Sequence, residues 1–134
     1  MDFQLNDCYK QQFVVTPDVY KHFQECSNDR NPLHTDEEFA RAKGFPEKVM
    51  YGNILNAFVS YFIGECLPTK DIIIHSQEIV FKNPVYLNET LEFEARISGV
   101  YEAVNVIEFK YKFIKSGGRG KIAAKGIIQI GLLK

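Results

Sequence analysis

Apolar residues recur at two different spacings along this chain, and the change falls near Pro68. Before it they recur mostly at intervals of three and four residues, the spacing that places side chains on one face of a helix. After it they alternate with polar residues, most regularly over 91–97 and 107–113. Alternation is typical of strands with one buried and one solvated face. We therefore expect mainly helices before Pro68 and strands after it.

Local signals set the ends of several elements. Thr16 is expected to cap the first helix, with Pro17 at its first position. Thr35 is expected to cap a second helix, with Glu38 at the capping-box position. The predicted elements are a strand over 8–15, a helix over 17–25, a short helix between 35 and 44, a long helix over 53–66, and strands over 71–82, 89–100, 105–114 and 121–133.

The long helix is apolar around most of its circumference, which predicts that it is buried in the centre of the domain. One narrow polar stripe interrupts it, because Asn53, Asn56 and Ser60 lie at positions i, i+3 and i+7. Buried polar groups need hydrogen-bond partners. The stripe is therefore either satisfied internally or lines a functional site.

One apolar helix, an early strand and four consecutive later strands indicate an α+β fold. The economical packing is an antiparallel sheet curled around the central helix, in a single domain over residues 1–134. Such a sheet leaves two exposed edges, which a symmetric homodimer could cover or extend.

Charge, cysteine content and the absence of long apolar runs argue against several classes of function. The net charge is −1 and the charges are interspersed, which argues against nucleic acid or an anionic membrane as partner. Cys8, Cys26 and Cys66 have no metal-ligand spacing and are expected to be free thiols in a reducing compartment. The N-terminus lacks a secretory pattern, and no apolar run approaches the ~18 residues that span a bilayer. We therefore expect a cytoplasmic protein.

The candidate chemistry lies between Ser27 and His34, where Asp29 and His34 are five residues apart. The Asn31-Pro32 pair is expected to break regular structure between them. A bent segment could aim the carboxylate and the imidazole at one water molecule and polarise it. The alternative is a local Asx-turn, in which Asp29 or Asn31 bonds nearby backbone and His34 lies at the surface.

These residues resemble a known family. The matching positions are Phe23-x3-Ser27-x-Asp29-x-Asn31-Pro32-Leu33-His34-x-Asp36, Ala40, Gly44-Phe45, Val49, Gly52, Leu55, Ser60, Gln77 and Phe81-Lys82-x-Pro84-Val85. Over nearly its whole length the chain resembles the MaoC-like acyl dehydratases, hot-dog-fold proteins that include the (R)-specific enoyl-CoA hydratases.

The resemblance implies an activity. Asp29 and His34 would activate a water that adds to a trans-2-enoyl thioester, giving a 3-hydroxyacyl thioester, or would catalyse the reverse dehydration. Ser60 matches a helix serine placed near the aspartate, and the Gly52 amide would bind the thioester oxygen. The substrate would be carried by CoA or an acyl carrier protein, and no metal or redox cofactor is needed.

General chemistry supports the role of Gly52. Addition of water to an enoyl thioester develops enolate charge on the carbonyl oxygen, and donors aimed at such an oxygen are often the largest catalytic contribution. The N-terminus of a buried helix supplies free N–H groups and the positive end of the helix dipole. Glycine has no side chain to obstruct close approach.

The chain departs from the family pattern at two places. It reads Ser27-Asn28-Asp29 where the family usually reads Ser-Gly-Asp, a mild change because asparagine tolerates left-handed backbone. It reads Tyr51-Gly52-Asn53 where the family usually reads His-Gly-Met, which replaces a thioether with an amide beside the proposed oxyanion site and could alter the acyl pocket or the polarity of the substrate. The candidate substrate-binding residues are Asn31, Tyr51, Asn53 and Asn56, and the candidates for contact with a CoA phosphate are Lys43, Lys48 and Lys82.

Several functions share this fold. The alternatives to a hydratase are a dehydratase for an unusual acyl group in a biosynthetic cluster, a non-catalytic acyl-binding hot-dog module and a hot-dog thioesterase. The combination of Asp29, His34 and Ser60 favours an enzyme, because binding alone requires no acid/base pair.

Overall fold

The structure is a computed structural model and describes residues 2–133. In chain order its elements are β1 (Cys8–Val14), α1 (Pro17–Ser27), α2 (Pro32–Thr35), α3 (Glu37–Ala42), α4 (Ile54–Glu65), β2 (Ile72–Phe81), β3 (Thr90–Tyr101), β4 (Val106–Lys115) and β5 (Ile122–Leu132). No helix within this range is long and apolar enough to cross a membrane.

The five strands form one antiparallel sheet in the order β1-β3-β4-β5-β2. β4 is the central strand, and it pairs with β3 from Leu91 opposite Lys115 to Tyr101 opposite Val106. Their side chains alternate between buried and less buried positions, as the sequence pattern predicts. The α+β class and the antiparallel sheet are confirmed.

Helix α4 packs its apolar side against the inner face of this sheet. The Phe62 ring lies 4.9 Å from that of Phe93 and 5.6 Å from that of Phe109, measured between centroids. Phe58 stacks on Phe13 of β1 at 4.5 Å. Full burial of one such side chain contributes about 1.5–3 kcal/mol. The sheet therefore holds α4 in place as its main packing partner.

The other side of α4 is exposed, so the prediction that the helix is buried on nearly all sides is wrong for the single chain. Ala57, Ser60 and Gly64 are exposed, and Tyr61 retains 50% of its accessible surface. The physical reason is that one layer of sheet covers only one side of a helix. We call the surface formed by Ala57, Ser60, Tyr61 and Gly64 the open face of α4.

Helix α1 has the predicted start and a later end. The Thr16 hydroxyl accepts a hydrogen bond from the Val19 amide at 3.2 Å, which confirms the cap. The helix continues past the predicted Glu25 to Ser27 and ends where Asn28 adopts a left-handed conformation with φ 55°. Asparagine accommodates this conformation better than most residues, as its place in the family pattern predicts.

The predicted cap of the second helix is wrong by one residue. Asp36 caps α3, and its Oδ1 accepts hydrogen bonds from the amides of Glu38 at 3.0 Å and Phe39 at 3.2 Å. Thr35 belongs to the preceding α2, and its hydroxyl donates to the Asn31 carbonyl at 3.2 Å. A residue inside one helix cannot adopt the extended conformation that caps the next.

Strand β2 forms one edge of the sheet and, within residues 2–133, pairs only with β5. Four of its apolar side chains are exposed: Ile73, Ile74, Val80 and Phe81. Exposed edges were expected from the sequence, and this one combines unpaired backbone with apolar side chains.

Candidate active site

The segment between α1 and α3 is more regular than predicted. Asn31 caps α2, Pro32 occupies the first helical position, and His34 lies within the resulting single turn. The prediction that Asn31-Pro32 breaks regular structure here is wrong, because the fixed φ of proline suits a helix start. The Asx contacts are also present: Asp29 Oδ1 accepts from the Asn31 amide at 3.0 Å, and Asn31 Oδ1 accepts from the Leu33 amide at 2.9 Å.

The His34 imidazole has a defined tautomer. Its Nδ1 lies 2.7 Å from the carbonyl oxygen of Val49. A carbonyl oxygen only accepts, so Nδ1 carries a proton and donates it. In the neutral ring Nε2 then bears a lone pair. His34 is half-buried, and this arrangement prepares Nε2 to accept a proton.

His34 lines a cavity of about 310 Å³ together with Tyr51 and Gly52. The other lining residues are mostly apolar: Val15, Phe45, Val49, Met50, Leu55, Phe81, Lys82, Asn83, Pro84 and Val85. Small-molecule sites typically combine an apolar wall with a few convergent polar groups. The cavity therefore suits an apolar chain with a reactive polar head near His34 and Gly52.

Gly52 lies in the turn before α4, which begins at Ile54, one residue later than the sequence suggested. Among residues 2–133 no acceptor is bonded to the Gly52 amide, which leaves it available to a ligand. A Cβ at this position would lie 3.0 Å from Cε1 of Phe81. Glycine thus allows Phe81 to pack directly against the backbone of the candidate oxyanion donor.

Two backbone hydrogen bonds fix the segment that carries Gly52. The Val49 amide donates to the Leu33 carbonyl at 3.1 Å, and the Met50 amide donates to the Val85 carbonyl at 2.8 Å. The first bond joins the segment to α2 and the second joins it to the loop after β2. The position of Gly52 relative to His34 is therefore set by main-chain contacts on both sides.

Tyr51 connects the two candidate catalytic residues. Its ring centroid lies 4.4 Å from that of His34, and its hydroxyl donates to the backbone carbonyl of Asp29. The same hydroxyl accepts from Nε2 of Gln24 at 3.2 Å. Burial raises the pKa of the Tyr51 phenol above its ordinary value, so the phenol remains a donor. This connection was not evident from the sequence, where Tyr51 was a candidate for substrate binding.

The remaining predicted residues lie outside the lining of this cavity. Asp29 and Asn31 are exposed in the single chain, as are Asn53 and Ser60, while Asn56 is half-buried. The structure therefore brings His34, Tyr51 and Gly52 together at the cavity and leaves the other five outside its lining.

The polar stripe of α4 is joined to the sheet. Asn56 donates to Oδ1 of Asn53 at 2.8 Å, and Gln77 of β2 donates to Oδ1 of Asn56 at 2.7 Å. Gln77 also donates to the Tyr111 hydroxyl at 3.1 Å. Asn53 and Asn56 thus have protein partners, whereas Ser60 lies on the open face of α4.

The three candidate lysines differ in position. Lys82 lines the cavity, whereas Lys48 lies 5.0 Å above the Tyr20 ring and Lys43 lies 5.3 Å above the Phe39 ring. A fourth lysine was not singled out from the sequence: Lys115 is buried and contacts the loop that forms one wall of the cavity. Its inward position continues the alternation of Phe109, Tyr111 and Phe113, a signal that could have identified it.

Comparisons with known proteins agree with the family resemblance read from the sequence. The family described as MaoC like domain matches residues 6–115. The chain is 26% identical over 108 residues to the (R)-specific enoyl-CoA hydratase of Aeromonas caviae, covering 81% of each chain. It is 29% identical over 111 residues to the mitochondrial 3-hydroxyacyl-[acyl-carrier-protein] dehydratase of Arabidopsis thaliana, covering 83% of this chain and 62% of that protein.

The fold also matches a solved structure. The (R)-hydratase from A. caviae involved in PHA biosynthesis superposes with a TM-score of 0.88 at 24% identity, over 97% of both chains. The hot-dog fold expected from the sequence is confirmed.

Proposed function

The chain belongs to the MaoC-like domain family, and we propose that it is a hydratase and dehydratase of acyl thioesters. It catalyses the reversible addition of water to a trans-2-enoyl thioester, giving a 3-hydroxyacyl thioester. Relatives named as an enoyl-CoA hydratase and as a 3-hydroxyacyl dehydratase support this activity. The observation that carries the proposal is the shared cavity of His34, with its available Nε2, and the Gly52 amide.

In the hydration direction His34 acts as the general base. Nε2 takes a proton from water as the water oxygen bonds to C3 of the enoyl group. The electrons of the C2–C3 double bond shift toward the thioester carbonyl, which becomes an enolate. The protonated imidazole then returns its proton to C2, which regenerates neutral His34, while the Asp29 carboxylate orients the water. The contact of Nδ1 with Val49 keeps the imidazole in the tautomer that the first step requires.

The Gly52 amide stabilises the enolate. It precedes α4, so the positive end of the helix dipole lies on the same side as the developing charge. Removal of one such donor typically costs on the order of 10²–10³ in rate. Its fixed position is important, because the donor must be aimed at the oxygen before charge develops.

The proposal extends to a two-fold homodimer. The open face of α4 and the apolar edge strand β2 leave Tyr61, Ile74 and Phe81 exposed in the single chain. A second copy that covers these surfaces would also enclose Asp29 and Ser60, which we assign to the site beside His34. Sedimentation at micromolar concentration tests the assembly, and a fully active monomer would contradict it.

The substrate carrier is CoA or an acyl carrier protein, and Lys82 at the cavity is the candidate for contact with its phosphate. Residues 1–134 act as one MaoC-like domain. A cytoplasmic location is favoured by the free thiols of Cys8, Cys26 and Cys66, which a reducing compartment preserves.

The activity is tested by following loss of the double bond in crotonyl-CoA and longer trans-2-enoyl-CoAs, and its formation from 3-hydroxyacyl-CoAs. Wild-type protein should catalyse both directions without added metal or redox cofactor. Binding of acyl-CoA without turnover in either direction would support the non-catalytic module, and release of free CoA would support a thioesterase.

A further inference from the structure

We propose that Tyr51 is a positioning residue that holds Asp29 and His34 in their relative arrangement. The inference rests on the proposed function, because it assigns Tyr51 a part in the reaction of that same site. Tyr51 is 3% exposed and lies directly before Gly52. It is therefore anchored in the core at the point where the candidate oxyanion donor begins.

The first part of the argument concerns Asp29. Its other hydrogen bonds within residues 2–133 join it to residues only two positions away: its amide donates to Oγ of Ser27 at 3.2 Å, and its Oδ1 accepts from the Asn31 amide at 3.0 Å. The bond from the Tyr51 hydroxyl instead spans 22 positions of the chain. It is the polar contact that attaches the exposed Asp29 loop to the buried core.

The second part concerns His34. The Tyr51 ring lies against the imidazole with 4.4 Å between centroids and 35° between planes. Tyr20 completes the arrangement, since its hydroxyl donates to the His34 carbonyl at 2.8 Å and its ring stacks on Tyr51 at 5.6 Å. These contacts restrict rotation of the imidazole and help to keep Nδ1 on the Val49 carbonyl.

Tyr51 makes two separate contacts with one side chain. The ring restricts His34, and the hydroxyl at its far end holds Asp29. Phenylalanine would keep the ring contact and lose the two bonds of the hydroxyl, the one to the Asp29 carbonyl and the one from Gln24. Tyr51→Phe therefore separates the hydroxyl from the ring, and the Asp29→Asn background shows whether the loss acts through Asp29.

The test is a double-mutant cycle on enoyl-CoA hydration. Misplacement of a reacting group by about 1 Å can cost on the order of 10²-fold in rate, so Tyr51→Phe should lower kcat by about 10- to 100-fold with KM nearly unchanged. In an Asp29→Asn background, measured at high enzyme concentration, Tyr51→Phe should cause little further loss. Residues that act through one another are non-additive, whereas a general loss of folding would lower both backgrounds equally.

Tyr9→Phe is the matched control. Tyr9 packs its ring 5.5 Å from that of Phe62, seven residues along α4 from Leu55 of the cavity lining, and has no part in the proposed site. Loss of the Tyr9 phenol oxygen should leave kcat unchanged.

The outcomes separate the two proposals. An active wild type with undiminished kcat in Tyr51→Phe overturns the role of Tyr51 and leaves the proposed function standing. An equal loss in the wild-type and Asp29→Asn backgrounds also overturns it. A wild type with no hydration activity overturns the proposed function and this inference with it.

Discussion

The Lys115 ammonium lies 2.7 Å from the carbonyl oxygen of Pro84 and 3.2 Å from Oε2 of Glu89. Lys115 is 8% exposed, and its ammonium also lies 5.1 Å above the Tyr86 ring. These contacts fix the loop after β2, whose Val85 carbonyl accepts the Met50 amide beside the cavity. Lys115, at the end of β4, thus stabilises the loop that forms one wall of the cavity.

Replacing Lys115 with methionine should destabilise the fold. It leaves Glu89 and the Pro84 carbonyl without their partner, a loss of about 1–3 kcal/mol for partly buried groups. Urea unfolding measures the effect. Lys112→Met is the control, since Lys112 and Glu94 form a more exposed pair at 3.6 Å and should contribute less than about 1 kcal/mol. Equal effects of the two variants would contradict a special role for Lys115.

Replacing Gly52 with alanine should preserve folding and lower turnover. The new Cβ meets Phe81, whose half-exposed ring can move aside into the cavity. The methyl group and the displaced ring then obstruct the thioester oxygen, and we expect a loss on the order of 10²-fold in kcat/KM. Gly117→Ala, where a Cβ has no neighbour within 4 Å, should have wild-type activity. A fully active Gly52→Ala would remove the oxyanion role.

Stability should fall at alkaline pH. Burial raises the pKa of the Tyr111 phenol above its ordinary value of 10.0, and burial has the same effect on the phenols of Tyr9, Tyr51 and Tyr86. Above pH ~10 the unfolded chain therefore binds fewer protons than the folded chain, and the free energy of unfolding decreases as pH rises. Urea unfolding between about pH 8 and 11 measures this slope, and Tyr111→Phe should reduce it. An unchanged free energy of unfolding across this pH range would contradict the raised pKa of the buried phenols.

Replacing Ser60 with alanine distinguishes the two interpretations of the polar stripe. Ser60 is exposed on the open face of α4, so its removal should change the free energy of unfolding by less than about 0.5 kcal/mol. If a second copy encloses Ser60 beside Asp29, turnover should nevertheless fall. A change in stability without a change in turnover would indicate a purely structural serine.

Asn53→Met tests the departure from the family pattern. Asn53 accepts from Asn56 and lies outside the cavity lining. A shift of acyl preference toward plain aliphatic chains would show that the assembled site brings Asn53 to the acyl group, because methionine exchanges an amide for an adaptable apolar side chain. An unchanged substrate profile would remove the support for an unusual polar substrate.

Local signals in the sequence were sufficient for most of the fold. The cap at Thr16 and the alternation along β3 and β4 depend on neighbouring residues, and both appear as predicted. The cap at Asp36 was missed because it depends on whether Pro32 starts a helix that includes Thr35. Local pattern alone does not decide that competition.

The site was predicted less completely, for a similar reason. The spacing of Asp29 and His34 identified the candidate segment, but the Tyr51 contacts join residues far apart in the chain. The exposure of one side of α4 was also missed. An apolar pattern indicates that a helix face is buried, but it does not show whether the same chain or a second copy buries it.

The most direct test of the account compares two histidines. His34→Ala removes the proposed base, while His22→Ala removes an imidazole on α1 that is 77% exposed. In hydration of crotonyl-CoA, His34→Ala should fold normally and lose about 10²–10⁴ in turnover, the range for general acid–base groups. His22→Ala should retain the wild-type rate. A folded His34→Ala variant with turnover close to that of the wild type would contradict the proposed mechanism.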